Sequence, residues 1–408
     1  MTSDQTIVVI GAGQAGGWTA KTLRDEGFGG RVIIVGDENF PPHERPPLSK
    51  EVLLGDAEND TCLLWPPGTL EDADIEMRLG VAVTDIDADG KSISLSDGET
   101  LSWNELMIAT GGTARSLPVA GVELDGVYTL RTIEDSEAIR SGIGKDRNVL
   151  IVGAGWIGLE VAAAARKKGA NAIVLEVADR VCARALTPEM SQWVDDLHRR
   201  NGVDIRLGVS LDRIEGHGHV ECAVLGDETR IECDIAVIGI GLTPNTELAE
   251  KAGLEIDNGI VVDETGRTSH PDIYAAGDNT NHPNPFLGKR IRLESWENAQ
   301  NQAICAAKVM LGGTDTYAEI PWFWSDQYDA NIQLMGLPDN FDQTAVRGDR
   351  DGGEFVEFYL KEGKLEGAAA INNARDLRFT RRMMMSGKTF DPADLENPEI
   401  KLQKLLKG

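Results

Sequence analysis

Cysteine is scarce in this sequence, and none of it is paired. Five cysteines occur among 408 residues, Cys62, Cys182, Cys222, Cys233 and Cys305, with no CxxC or CxxxxC spacing. That composition speaks against a disulfide framework and against an internal dithiol relay. Long apolar runs are missing too: even Gly153 to Ala165 carries Glu160 and is too short to cross a bilayer. No basic-then-apolar leader opens the chain, so a cytoplasmic protein is expected. Cations are few, 40 Lys and Arg against 67 Asp and Glu, a net charge of -27. This argues against nucleic acid or an anionic membrane as a partner, and it repels acidic proteins unless basic residues gather on one face. No residue is assigned to a metal.

Glycine, in contrast, is plentiful, with 45 residues, and it is ordered. Two GxGxxG fingerprints each follow an apolar strand and open a helix. Ile7 to Ile10 leads into Gly11, Gly13 and Gly16; Val149 to Val152 leads into Gly153, Gly155 and Gly158. The first glycine of each set permits the tight turn, the second lets backbone N–H groups meet a pyrophosphate, and the third allows close helix–strand packing. The anion sits on the open N-terminus of the helix. One such motif could be a mere turn in a parallel sheet; two, a domain's length apart, point to two bound dinucleotides.

The repeat extends beyond the turns. Second strands end at Asp37 and Glu176, acids placed to accept hydrogen bonds from ribose hydroxyls. A 2'-phosphate near Glu176 would face like charge, which favours NADH over NADPH; Arg180 and Arg184 lie close by, either as a complication or as ordinary surface arginines. Each unit closes on an apolar strand and a glycine turn, Leu106–Gly112 and Ile235–Gly241. Pieces between residues 77 and 103, and again between 205 and 232, read as antiparallel ribbons. Strand-like stretches at Gln333–Met335, Glu354–Tyr359 and Leu365–Ile371, then a helix over Asp376–Met385, predict a small third domain. The fold class is therefore α/β, two Rossmann-like dinucleotide-binding domains plus a small C-terminal α+β domain.

Several residues carry candidate chemistry. Glu160 is the one acid in a small, apolar helix, placed within its first turn. It reads either as a capping-type acid or as a carboxylate that holds the nicotinamide carboxamide. Asp278, after Ala276-Gly277, is either a turn former or a contact to the ribityl or pyrophosphate part of a cofactor. Trp296, Trp322 and Trp324 are either core residues or the lining of a flavin edge. Arg375, Arg378, Arg381, Arg382 and Lys388 form a basic run against one acid, Asp376.

These features together resemble the FAD-dependent, NADH-using ferredoxin reductases of bacterial oxygenase systems, the putidaredoxin reductase-like family, related to rubredoxin reductase and apoptosis-inducing factor. The resemblance spans essentially the whole chain. It rests on Val9-Ile10-Gly11-Ala12-Gly13-Gln14-Ala15-Gly16, Arg45-Pro46-Pro47-Leu48-Ser49-Lys50, Ala109-Thr110-Gly111-Gly112, Ile151 to Glu160, Ala275-Ala276-Gly277-Asp278 and Glu294-Ser295-Trp296-Glu297-Asn298-Ala299. The RPPLSK and ESWENA stretches are far more specific than the glycines.

The resemblance implies a glutathione reductase-like layout: residues 1–112 and 247–320 as a discontinuous FAD-binding domain, 113–246 as the NAD-binding domain and 321–408 as the C-terminal domain. It implies FAD at Gly11, Gly13, Ala15, Gly16, Asp37, Arg45, Lys50, Arg131, Asp278 and Trp296. NADH falls at Gly153, Gly155, Ile157, Gly158, Glu160, Glu176, Arg184 and Gly241. Lys50 and Glu160 resemble the family's catalytic pair, while His43 departs from the side chains relatives often carry. Hydride would pass from NADH to flavin N5, and single electrons would then leave for an acidic [2Fe-2S] ferredoxin. That ferredoxin would dock through Arg375, Arg378, Arg381, Arg382, Lys289 and Arg290, with Arg292 beside them. Only Cys62 lies between Gly36 and Trp65, which disfavours reduction of glutathione, lipoamide or thioredoxin. A rubredoxin reductase, or an NADH-sensing flavoprotein resembling apoptosis-inducing factor, are the alternatives.

Overall fold

The computed structural model describes residues 4–407. The chain divides into two compact units. One runs up to Pro47 and resumes with Glu58–Thr113 and Leu242–Glu319; the other comprises Leu48–Ala57, Ala114–Gly241 and the chain from Ile320 onward.

The first unit is built on a five-stranded sheet in the order Ile273–Ala275, Glu105–Ile108, Thr6–Ile10, Arg31–Gly36, Ile75–Leu79, with every pairing parallel. A parallel sheet is covered on both faces, so its central strands are apolar throughout rather than alternating. Ile7 and Val9 enter the core on one face with Leu23 and Ala303, and Val8 and Ile10 enter the other with Ile93 and Leu106. Helix Gln14–Asp25 packs on helix Trp296–Met310. Small residues on both, Ala15, Ala20, Ala299 and Ala303, are buried there and let the backbones approach.

The second unit repeats the plan. Its sheet runs Asp204–Leu207, Asn171–Glu176, Asn148–Val152, Ile235–Ile238, Val127–Thr129, again all parallel. Each sheet places its glycine-turn strand at the centre. The outermost place is taken by a late strand in one unit (Ile273–Ala275) and by an early one in the other (Val127–Thr129).

The ribbons begin later than the sequence reading has them. Ile75–Leu79 and Asp204–Leu207 are edge strands of the parallel sheets, and the antiparallel ribbons proper are Val83–Asp87, Ser92–Leu95, Thr100–Ser102 and Leu211–Gly216, Val220–Leu225, Arg230–Glu232. Edge strands expose one side, so Glu76, Arg78 and Arg206 break the apolar run that marks a central parallel strand.

The C-terminal part of the second unit is a five-stranded antiparallel sheet, Trp322–Gln327, Ala330–Gly336, Lys364–Ile371, Glu354–Lys361, Gln343–Asp349. Helix Ala374–Met385 packs on it through Leu377 and Met383. No helix among the described residues is long and apolar enough to cross a membrane.

One buried group in the first unit makes its stability pH-dependent. His282 is 1% exposed, with its ring edge-on to Tyr317 at 5.2 Å, and neither ring nitrogen has a hydrogen-bond partner among the described residues. Burial, then the nearby Arg290, pushes its pKa from 6.5 down to about 4. Between those values the unfolded chain holds the extra proton, so stability is complete above about pH 6.5 and falls as the pH drops toward 4. His282→Phe should flatten that acid-side slope by on the order of 3 kcal/mol, read from urea unfolding at pH 4.5 to 7. An unchanged slope would show that the imidazole is not held neutral.

Candidate functional site

Among the helices of ten residues or more, four carry a side-chain cap: Thr132, Thr187, Ser295 and Asn373 each accept a backbone N–H at a helix start. The other two are Gln14–Asp25 and Trp156–Lys167, which follow the glycine turns. Their N-caps are Gly13 and Gly155, no side chain caps them, and no acid sits in the first turn. Two helix ends thus keep their first N–H groups available and their positive end of the dipole uncompensated.

The glycines meet different constraints. Gly11 and Gly153 have φ of +113° and +106°, a region L side chains avoid. A Cβ on Gly16 would lie 1.8 Å from the Gly11 carbonyl oxygen, and one on Gly158 would lie 2.0 Å from that of Gly153. Around Gly13 and Gly155 a Cβ would meet nothing within 4 Å. That open space above an uncapped helix end is the fit a pyrophosphate requires, and both turns have it.

The acids differ between the turns. Glu176 ends its strand, accepting the Ala154 N–H at one carboxylate oxygen and the Ala178 N–H at the other, both at 2.8 Å. An ionised carboxylate retains lone pairs for ribose hydroxyls after those two bonds. Strand register matches Val152 to Leu175 and Ile10 to Val35. The counterpart of Glu176 is therefore Gly36, where a Cβ would fall 2.5 Å from Ala12 Cβ. Asp37 lies one place beyond and is exposed.

Arg180 is tied to the carbonyls of Ala183 and Leu186 and to Ser191. Arg184 is exposed, with its guanidinium beside Gly241 (φ +115°). Ile157 and Val177, 42% and 72% exposed, are among the few large apolar side chains left uncovered.

In the first unit Gly277, with φ +96°, comes close to Ala15, which brings Asp278 near the first glycine turn. The Asp278 carbonyl accepts from Arg292. Arg45 pairs with Glu38 at 2.7 Å, and the Trp296 indole donates to Glu44 at 2.5 Å; neither acid is marked by the sequence reading. His43 is buried, with Nδ1 3.0 Å from the Pro41 carbonyl.

Glu160 lies deeper in its helix than expected. It is the fifth residue of Trp156–Lys167, past the first turn, and its side chain is 3% exposed. The helix end therefore does not balance its charge; side chains do. Ser49 Oγ donates to one carboxylate oxygen, and Lys50 Nζ at 3.0 Å and Ser325 Oγ at 2.6 Å reach the other.

Lys50 is delivered by the proline-rich stretch. Pro46–Ser49 forms a 3-10 turn, where the missing proline N–H is no loss. The turn leads into Glu51–Leu54, held by Ser136 on the Leu48 carbonyl and Lys168 on that of Leu54. Ser49 lies inside a motif the sequence reading marks; Ser325 carries no local signal. Arg131 stands just before the capping box of Thr132 and Asp135, its backbone N–H bonded to Asp135. Trp322 and Trp324 stack on one another, centroids 5.0 Å apart.

All five cysteines are buried and unbridged. Burial pushes the thiols of Cys182, Cys233 and Cys305 upward, the last to about 11, which keeps them protonated and poor nucleophiles. Among the described residues no cluster of His, Cys, Asp or Glu could hold a metal ion.

The basic run does not act as one patch. On helix Ala374–Met385 the residues Arg375, Arg378, Arg382 and Met385 are exposed at helical spacing, while Arg381 donates to the Ile320 carbonyl. Arg290 is bound to the carbonyls of Val262 and Asn281, and Arg292 pairs with Glu294. Lys289 is exposed.

A model of the pyridine nucleotide-disulphide oxidoreductase family matches residues 5–303, and one of the reductase C-terminal family matches 322–406. The chain is 39% identical over 408 residues to the ferredoxin–NAD(+) reductase component of the anthranilate 1,2-dioxygenase system of Burkholderia cepacia, with 99% of this chain and 100% of that one covered. It is 35% identical over 412 residues to putidaredoxin reductase of Pseudomonas putida, covering 100% and 98%. The crystal structure of the covalent putidaredoxin reductase–putidaredoxin complex matches with a TM-score of 0.96 at 35% identity, over 100% of this chain and 99% of that one.

The contrast between adjacent glycines is testable. Gly155→Ala should leave the melting temperature within about a degree yet weaken NADH binding about tenfold or more, because the methyl fills only space the pyrophosphate needs. Gly158→Ala should destabilise by roughly 1–3 kcal/mol, because its methyl meets backbone. Fluorescence titration with NADH beside thermal unfolding separates the two; equal effects in both assays would refute the assignment.

Proposed function

The chain belongs to the pyridine nucleotide-disulphide oxidoreductase family, and we propose that it is an NADH-dependent ferredoxin reductase that takes hydride from NADH and hands electrons singly to a [2Fe-2S] ferredoxin. The balance is one NADH and two oxidised ferredoxins giving NAD+, a proton and two reduced ferredoxins. The observation that carries this reading is the buried Lys50–Glu160 pair in a chain with two uncapped glycine turns. FAD, when bound, supplies the conversion between a two-electron donor and a one-electron acceptor.

The chain's own residues do the rest. The first turn, with Asp278, Arg45 and Trp296 near its unit's cofactor, holds FAD; the second turn, with Glu176, Arg184 and Gly241, holds NADH. Glu160 accepts from the nicotinamide carboxamide and fixes the ring, and Lys50 balances its charge and offers an ammonium at the reacting end. The fixed pose is the main catalytic contribution, since hydride transfer needs alignment more than acid–base chemistry. The buried, unbridged cysteines offer no dithiol step. The relatives' names favour a ferredoxin over a rubredoxin as acceptor.

Docking uses Arg375, Arg378 and Arg382, a cationic stripe on a chain of net charge -27 that would otherwise repel an acidic ferredoxin.

Anaerobic mixing of the FAD-loaded protein with NADH should bleach the flavin, and added [2Fe-2S] ferredoxin should be reduced in turn; a flavin that stays oxidised refutes the reading. Glu176→Ala should raise the KM for NADH about 10- to 100-fold, the worth of one charge-assisted hydrogen bond, with a smaller effect on kcat. Reversing Arg375, Arg378 and Arg382 to Glu should raise the KM for ferredoxin and flatten its salt dependence, while NADH-to-dye activity stays intact. Ferredoxin kinetics matching wild type would discard the docking stripe.

A further inference from the structure

Glu160 is also the end of a hydrogen-bonded chain that starts at a half-buried tyrosine. Tyr328 Oη lies 3.4 Å from His198 Nδ1, and His198 Nε2 lies 2.7 Å from Gln327 Oε1. Gln327 Nε2 donates to Ser325 Oγ at 2.9 Å, and Ser325 Oγ donates to Glu160 at 2.6 Å. Ser325, Gln327 and His198 are 0% exposed. Ser325 and Gln327 share one face of strand Trp322–Gln327 by their alternation, and His198 comes from helix Pro188–Arg200.

The direction of this chain follows from valence. A carboxylate only accepts, so the Ser325 hydroxyl proton points at Glu160, and the serine lone pair is left for the Gln327 amide N–H. The amide oxygen is thereby turned to His198, which must present Nε2–H. Nδ1 is then an acceptor and takes the Tyr328 hydroxyl proton. Burial holds the imidazole neutral, its pKa pushed down to about 4, against smaller opposing influences of the Gln327 hydrogen bond and then Asp195. Every donor therefore points toward Glu160, an arrangement in which each bond polarises the next.

We propose that Ser325, Gln327 and His198 are positioning residues: through this one-way chain they fix the Glu160 carboxylate so that it meets the nicotinamide in one pose, making the C-terminal sheet a working part of the NADH site. Ser49 holds one carboxylate oxygen and Lys50 shares the other with Ser325, so Ser325 is the neutral donor that fixes the direction in which that second oxygen's lone pairs are used. The proposal rests on the reading above that Glu160 contacts the nicotinamide.

The test uses the full-length, FAD-loaded protein. In the oxidised state at pH 7, side-chain 15N NMR should find His198 as the Nε2–H tautomer, a readout independent of turnover. Anaerobic stopped-flow mixing of Ser325→Ala with NADH should show the limiting rate of flavin reduction down about tenfold, with the NADH dissociation constant changed by no more than about twofold. Ser325→Thr, which restores the hydroxyl, should recover the rate to within about twofold of wild type. An Nδ1–H tautomer for His198, or a Ser325→Ala rate equal to that of a normally reduced wild type, overturns this proposal alone. A wild type that NADH does not reduce overturns the reading of the site, and the proposal with it.

Discussion

Burying the charge of Glu160 is the constraint around which the second unit is arranged. An ionised carboxylate removed from water costs several kcal/mol unless donors surround it. Here the donors come from residues 49, 50 and 325, far from 160 along the chain. Ten residues, Leu48–Ala57, which begin at the end of the proline-rich stretch, accordingly group with the second unit although the segments on either side belong to the first. The same demand ties the antiparallel C-terminal sheet to the helix after the second glycine turn. A helix composed only of alanine and valine at this position would require neither.

The two glycine turns apply one physical device to two sites, and their difference lies in the acid. Both leave a helix N-terminus uncapped where the other long helices are capped, and both clear the space over the middle glycine. In the second turn Glu176 is locked by two backbone N–H groups before any ligand arrives. A group already fixed gives up little conformational entropy on binding. In the first turn the corresponding place is Gly36, pressed against Ala12, so no side chain can reach the ribose from there. Recognition at the two sites cannot be mirror copies, even though each sheet places its glycine-turn strand at the centre.

How much of this was legible in the sequence depends on how local each signal is. Central strands such as Val149 to Val152 and Ile235 to Ile238 announce themselves, because burial on both faces leaves no polar interruption. Edge strands do not: Ile75–Leu79, Asp204–Leu207, Trp322–Gln327 and Gln343–Asp349 alternate or mix polar residues and merge with the loops around them. The glycine turns are readable because three backbone requirements fall within six residues. Counting an interval leads to Asp37, and strand register adds that its neighbour Gly36 is the positional counterpart of Glu176. The role of Lys50 came through resemblance to a family. Nothing local marks Ser325 or His198, since a hydrogen bond across 165 residues leaves no spacing to detect.

The cysteines bear on how electrons can leave. Each thiol is buried and unbridged, and those of Cys182, Cys233 and Cys305 are driven away from the thiolate form. A disulfide exchange step needs an accessible thiolate, so two-electron traffic through sulfur is closed on chemical grounds. The relatives' names point to a ferredoxin, an acceptor that must come to the protein's surface. Such an acceptor, if acidic, approaches a molecule of net charge -27. At physiological ionic strength charges are screened beyond about 8 Å, so distant carboxylates matter little once contact is near, and the local sign decides. Arginines at positions 375, 378 and 382 put three guanidinium groups along one helix face, with Met385 continuing it as an apolar end. A weak, quickly reversible complex suits a carrier that must leave after each electron, and in the docking proposed above a short stripe of exposed charges would act mainly on encounter rate.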